Sequence, residues 1–248
     1  MMSKPAAVSG PEGPLRAPVA SEQEPRVKGV LFDFSGTLFQ IDSYAARIRV
    51  AMGRHVDESE MEKLLDGLET GLSDPNVIEE QLGRDTSAHA HRRAFTTWYA
   101  SVPELAPYAD ALYGQLQDPA HWLPYSDAKP TLARLHQAGV RLGVVSDVGW
   151  DLRATFAHHG LDHFFSSWVH SYEHDTEKPD RRLFHHACQE LDVDLAETLM
   201  VGDHPAKDGG AAAAGMRAYV LPAGAAPGAH RGLGAVLRLV DADSTLWV

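Results

Sequence analysis

The chain has 248 residues, 44% of them hydrophobic and 23% charged, the composition of an ordinary globular protein with room for one large core or two modest ones. A formal net charge of -12 argues against sequence-independent nucleic-acid binding and against docking on anionic membranes, since both need clustered Lys and Arg. It leaves a phosphorylated substrate open, because a local lysine and a metal override the global field.

One cysteine, Cys188, excludes an internal disulfide and points to a reducing compartment; its helix-like surroundings make it a buried structural thiol. Residues 1–26 hold Pro, Ala, Gly and Ser without an apolar h-region, so they read as a disordered leader and not as a signal peptide. No apolar run is long enough to span a bilayer. The expectation is a cytoplasmic protein with neither nucleic-acid nor membrane partners.

In chain order, residues 27–33 form a short β-rich run that ends on Asp33 and a glycine-containing turn. Residues 42–117 then read as successive helices over 44–55, 58–71, 87–101 and 108–117, with almost nothing that looks like a strand. From Asp127 the texture alternates. Helices over 128–137, 150–159, 180–191 and 206–214 are interleaved with strands over 140–146, 164–169, 198–201 and 217–221. Such alternation signals βαβ units and a parallel sheet. Residues 223–234 read as a Gly/Ala-rich loop and 235–240 as an edge strand.

The fold class is therefore α/β: a Rossmann-like parallel sheet built from 27–41 and 125–248, with an all-helical insert over 42–124. Parallel sheets place ligand sites at the carboxyl ends of their strands. Asp33, Ser146 and Asp203 fall at such ends. Asp208 follows shortly after Asp203, and three carboxylates at one sheet edge repel one another unless a hard cation sits among them. Mg²⁺ is the usual answer, held by one or two carboxylates, a substrate phosphate oxygen and water. Lys178 offers a balancing positive charge, and Gly36 permits a sharp turn whose N–H groups can hold phosphate oxygens.

These segments resemble four motifs of the haloacid dehalogenase superfamily, in the family's order. Asp33-Phe34-Ser35-Gly36-Thr37 resembles the first, Val144-Val145-Ser146 the second, Lys178-Pro179-Asp180 the third and Gly202-Asp203-x4-Asp208 the fourth. The helical insert lies where that family carries a C1 cap. The resemblance implies a hydrolase in which Asp33 is both the nucleophile and a Mg²⁺ ligand. Thr37 and Ser146 would bind the transferring phosphoryl group, and Lys178 would neutralise charge between it and Asp33. Asp203, Asp208 and the main-chain carbonyl of Ser35 would complete the metal site. The implied partner is a small phosphorylated metabolite; oligomeric state is left open.

Ser35 departs from the pattern, because phosphatases of this family usually carry an acid there that protonates the leaving group. A hydroxyl is no useful acid near neutrality. Three readings stay open: restriction to leaving groups that need no proton, an acid borrowed from the insert (His55, His89, His91 or His121) or the substrate, or a feeble catalyst that acts by binding. A metal-independent 2-haloacid dehalogenase is the other alternative, with Arg47, Arg49, Arg92 or Arg93 as the holder of a substrate carboxylate. The adjacent pairs His158-His159 and His185-His186 point about 100° apart on a helix, poor geometry for zinc. Residues 209–215 lack the spacing of a nucleotide-binding glycine loop.

Overall fold

The computed structural model describes residues 26–222 and 224–240. The expected leader lies outside the described residues, apart from Arg26. Five strands form a parallel sheet in the order β5-β4-β1-β6-β7. They are β1 (Gly29–Phe32), β4 (Arg141–Ser146), β5 (Ser167–His170), β6 (Thr198–Gly202) and β7 (Arg217–Val220). β1 is central and wholly buried. It pairs on one side with β4 and on the other with β6, so that Phe32 lies level with Val144 and Val201.

Alternation along the strands divides the core in two. Val30, Phe32, Leu142, Val144 and Val201 face one cluster, which includes Leu132 and Leu135 of α6 (Ala128–Gln137) and Phe156 of α7 (Arg153–His158). Leu31, Val145, Val169 and Met200 face the other, with Leu183, Phe184, Ala187 and Leu191 of α8 (Arg181–Leu191). Cys188 is buried in this second cluster, in keeping with a structural thiol.

The insert consists of α1 (Tyr44–Met52), α2 (Glu58–Gly71), α3 (Pro75–Gln81), α4 (Ala88–Ala100) and α5 (Ala109–Gln117). Ser43, Asp57, Asp74 and Ser87 each accept a main-chain N–H at the helix start, which is why the chain enters helix at those points. The insert has its own core, in which Ile48, Leu64, Leu68, Val77, Tyr99, Leu112 and Tyr113 are buried. It is joined to the sheet by a two-stranded antiparallel ribbon, β2 (Phe39–Ile41) against β3 (Trp122–Pro124).

Four expectations change. Helix α3 was not anticipated, and neither was the ribbon. The stretch expected as a helix over 206–214 is a 3-10 segment, Gly209–Ala214, which follows a turn in which His204 donates its N–H to Asp208 Oδ2. The tail expected as an edge strand is helix α9 (Gly234–Val240). Val236, Leu237 and Val240 are buried with α6 residues in one cluster, a helical spacing that a strand cannot present to one surface. Among the described residues, no helix is long and apolar enough to cross a membrane.

Candidate active site

The turn after β1 brings Asp33 over the carboxyl end of the sheet, and its N–H is held by the Val201 carbonyl at 2.9 Å. β6 delivers Asp203 and Asp208 beside it. One carboxylate oxygen from each of Asp33, Asp203 and Asp208 lies within 4.8 Å of the others. Lys178 reaches in from the loop before α8 and donates to Asp33 Oδ1 at 2.8 Å and to Asp208 Oδ1 at 2.6 Å. All but Asp203 are buried, with Asp208 1% and Lys178 3% exposed, so these charges interact with little solvent screening.

Burial pushes the Asp33 carboxyl up to about 6 against the pull of Lys178, and the negative charge of Asp208 adds to the rise. Burial also raises Asp203, with Asp208 again adding to it. Burial by itself would lower Lys178, yet Asp33, Asp208 and Asp147 together raise it, so it stays a cation. Three carboxylates facing one ammonium leave negative charge in excess. All are hard oxygen donors, which fits a divalent cation of the Mg²⁺ type.

Gly36 makes this closeness possible. Its φ is +72°, and a Cβ built there would stand 2.2 Å from Asp203 Oδ2. Thr37 is fully buried, and its hydroxyl finds no hydrogen-bond partner among the described residues. A buried orphan donor beside the Asp33 turn is suited to a ligand oxygen. Ser146 ends β4 and is 3% exposed. Ser35, by contrast, is exposed.

Several residues that hold this site were not singled out from the sequence. Arg231 donates from Nε to the Gly36 carbonyl at 2.6 Å. Asp127 in turn accepts the N–H groups of Arg231, Gly232 and Leu233, fixing that loop against the turn. Asp147 Oδ1 accepts the Lys178 N–H at 2.9 Å. No local pattern announces such partners; only the fold brings them together.

The four histidines of the insert differ in placement. His55 and His89 are exposed, and His121 pairs with Asp42 at 3.1 Å. His91 is buried against Tyr113 and Asp85, and burial lowers it to about 4. The arginines considered for a carboxylate substrate are engaged or exposed. Arg47 is buried with Tyr99 and the Leu112 carbonyl, Arg92 pairs with Asp110, Arg93 pairs with Glu80, and Arg49 is exposed. Both groups of three potential metal ligands found among the described residues consist of carboxylates, and neither contains a histidine.

A parallel α/β sheet with a carboxylate–lysine cluster at the carboxyl ends of its central strands defines the class of protein to which this site belongs. The sequence pattern of the haloacid dehalogenase-like hydrolases matches residues 27–215, and the chain belongs to that family. It is 32% identical over 202 residues to a glyceraldehyde 3-phosphate phosphatase of Methanopyrus kandleri, covering 77% of this chain and 82% of the relative. It is also 32% identical over 118 residues to haloacid dehalogenase-like hydrolase domain-containing protein 3 of Bos taurus, covering 47% of each. Among solved structures, L-2-haloacid dehalogenase from Xanthobacter autotrophicus superposes with a TM-score of 0.64 at 21% identity, over 88% of this chain and 100% of that one. A HAD phosphatase from Thermococcus onnurineus gives 0.55 at 23% identity, over 86% of this chain and 97% of that one. At such identities these two structures speak for the fold alone.

Proposed function

We propose that this chain is a Mg²⁺-dependent phosphatase of small phosphorylated metabolites that works through an aspartyl-phosphate on Asp33. The observation that carries the reading is the buried contact of Asp33, Lys178 and Asp208, with Asp203 beside them. The phosphatase name of the Methanopyrus kandleri relative supports it and makes glyceraldehyde 3-phosphate the first substrate to test.

A carboxylate oxygen of Asp33 attacks phosphorus, and the bond from phosphorus to the leaving oxygen breaks. Water then attacks phosphorus, releasing phosphate and regenerating the Asp33 carboxylate. Lys178 holds the attacking carboxylate and offsets charge as the phosphoryl group transfers. The Thr37 hydroxyl and Ser146 receive phosphoryl oxygens. Asp33, Asp203, Asp208 and the Ser35 carbonyl would hold Mg²⁺, which when bound supplies further positive charge to those oxygens. The helical insert serves as a cap that limits water during the first step.

Ser35 supplies no proton to the leaving oxygen, which favours acyl and anhydride phosphates over alkyl esters. Losing a positioned general acid removes about 10²–10⁴ in rate. The test is phosphate release from glyceraldehyde 3-phosphate, acetyl phosphate and pyrophosphate, with Mg²⁺ or with EDTA. The reading requires release that depends on Mg²⁺. Absence of release from all three, with halide release from 2-chloropropionate, would replace it with dehalogenation.

A further inference from the structure

Beside the first cluster the same loops meet a second time, around Lys207. Its Nζ lies 2.8 Å from Asp147 Oδ2, 3.6 Å from Asp85 Oδ2 and 3.8 Å from Glu177 Oε2. Asp147 directly follows Ser146, Glu177 directly precedes Lys178, and Lys207 directly precedes Asp208. Asp85 comes from the helical insert, between α3 and α4, and is 2% exposed. Further bonds seat that segment: the Asp85 N–H donates to Glu177 Oε1 at 2.9 Å, and the Asp85 carbonyl accepts from Ser171 Oγ at 2.6 Å. Next to it His91 covers Gly149, where a Cβ would stand 2.4 Å from that of His91.

Three carboxylates within 4.8 Å of one another are mutually repulsive, and Lys207 is the cation placed among all three. Of these three carboxylates Arg84 pairs with Asp85, at 3.3 Å, and with neither of the others. Asp147 is shared: Oδ2 pairs with Lys207, while Oδ1 accepts the Lys178 main-chain N–H. Lys207 thus faces the insert on one side and the backbone of the site lysine on the other.

We propose that Lys207 is a positioning residue that clasps the helical insert, through Asp85, onto the loops of Ser146, Lys178 and Asp208, and that holds Asp147 where it fixes the Lys178 backbone. Removing the ammonium leaves Asp147 and Glu177 without their cation and Asp85 with Arg84 alone, so the insert lifts and the Lys178 loop loosens. Arginine at 207 retains the charge and much of the clasp. Neutralising Asp85 in the absence of Lys207 removes one of the three repelling charges.

The test uses the full chain as wild type, Lys207→Met, Lys207→Arg and the double variant Lys207→Met/Asp85→Asn, compared by amide hydrogen exchange. Lys207→Met should speed exchange in residues 84–91, 147–150 and 171–178 by roughly tenfold or more, leaving α2 at its wild-type rate. Lys207→Arg should stay near wild type, and the double variant should fall between. Unchanged exchange in residues 84–91, or acceleration of α2 by the same factor, would overturn the clasp, as would Lys207→Arg matching Lys207→Met. A second readout rests on the phosphatase reading: kcat should fall about tenfold in Lys207→Met with half-saturating Mg²⁺ unchanged. A wild type without turnover would defeat that reading alone, since the exchange comparison still decides the clasp.

Discussion

The ammonium of Lys178 and the carboxylate of Asp33 lie 2.8 Å apart, and the same ammonium reaches Asp208 at 2.6 Å. The lysine side chain is 2% exposed and that of Asp208 1%. Replacing one partner of so buried a set leaves the others as unpaired buried charges. Lys178→Met should therefore lower unfolding free energy by about 3 kcal/mol in EDTA, read by urea denaturation. Mg²⁺ should recover part of the loss, since a cation there meets the same carboxylates. A variant as stable as wild type in EDTA would contradict this.

Gly36 carries a left-handed φ of +72° against Asp203. In Gly36→Ala the new methyl must displace the Asp203 carboxylate, and the backbone strain adds about 1 kcal/mol. Calorimetric titration with Mg²⁺ should show affinity reduced roughly tenfold or more with the fold retained. Wild-type affinity would show that Asp203 does not hold the ion.

In the proposed mechanism Ser35 supplies no proton to the leaving oxygen. Ser35→Asp places a carboxyl in the exposed turn. It should raise kcat on an alkyl phosphate such as glyceraldehyde 3-phosphate by about 10²-fold, with little change on acetyl phosphate. Equal gains on both substrates would mean that the residue acts otherwise than as an acid.

His91 supplies a pH dependence. Burial depresses it from 6.5 to about 4, so the folded protein keeps it neutral where the unfolded chain binds a proton. The unfolded state binds more protons in that window, and stability therefore rises with pH through it. The contribution is complete above pH 6.5 and is lost as pH falls toward 4, about 3 kcal/mol in all. Urea titrations between those limits should show a slope that flattens in His91→Phe. An unchanged slope would assign the acid sensitivity to other groups.

Much of this arrangement was legible in the sequence because a parallel sheet gathers its strand ends whatever the loops do. Asp33, Lys178, Asp203 and Asp208 meet as the motif order requires. The bounds of α2 and α6 followed from apolar spacing over whole turns. Helix α3 opens on Ser73-Asp74-Pro75-Asn76, residue types that suit a turn as well as a helix start, and here Asp74 caps while Pro75 fits the first helical turn. The tail misled because Val236-Leu237-Arg238-Leu239-Val240 is β-rich, and packing with α6 decides it. Lys207, Asp85, Asp127 and Arg231 act on partners far away in the chain, which no local spacing encodes.

The most direct test of the central claim is to quench a single turnover of acetyl phosphate with acid and map the protein by mass spectrometry. The account predicts one phosphoryl group on the peptide carrying Asp33, formed with Mg²⁺ and absent in EDTA and in Asp33→Asn. Phosphate released without any such adduct, or an adduct that survives in Asp33→Asn, would contradict it.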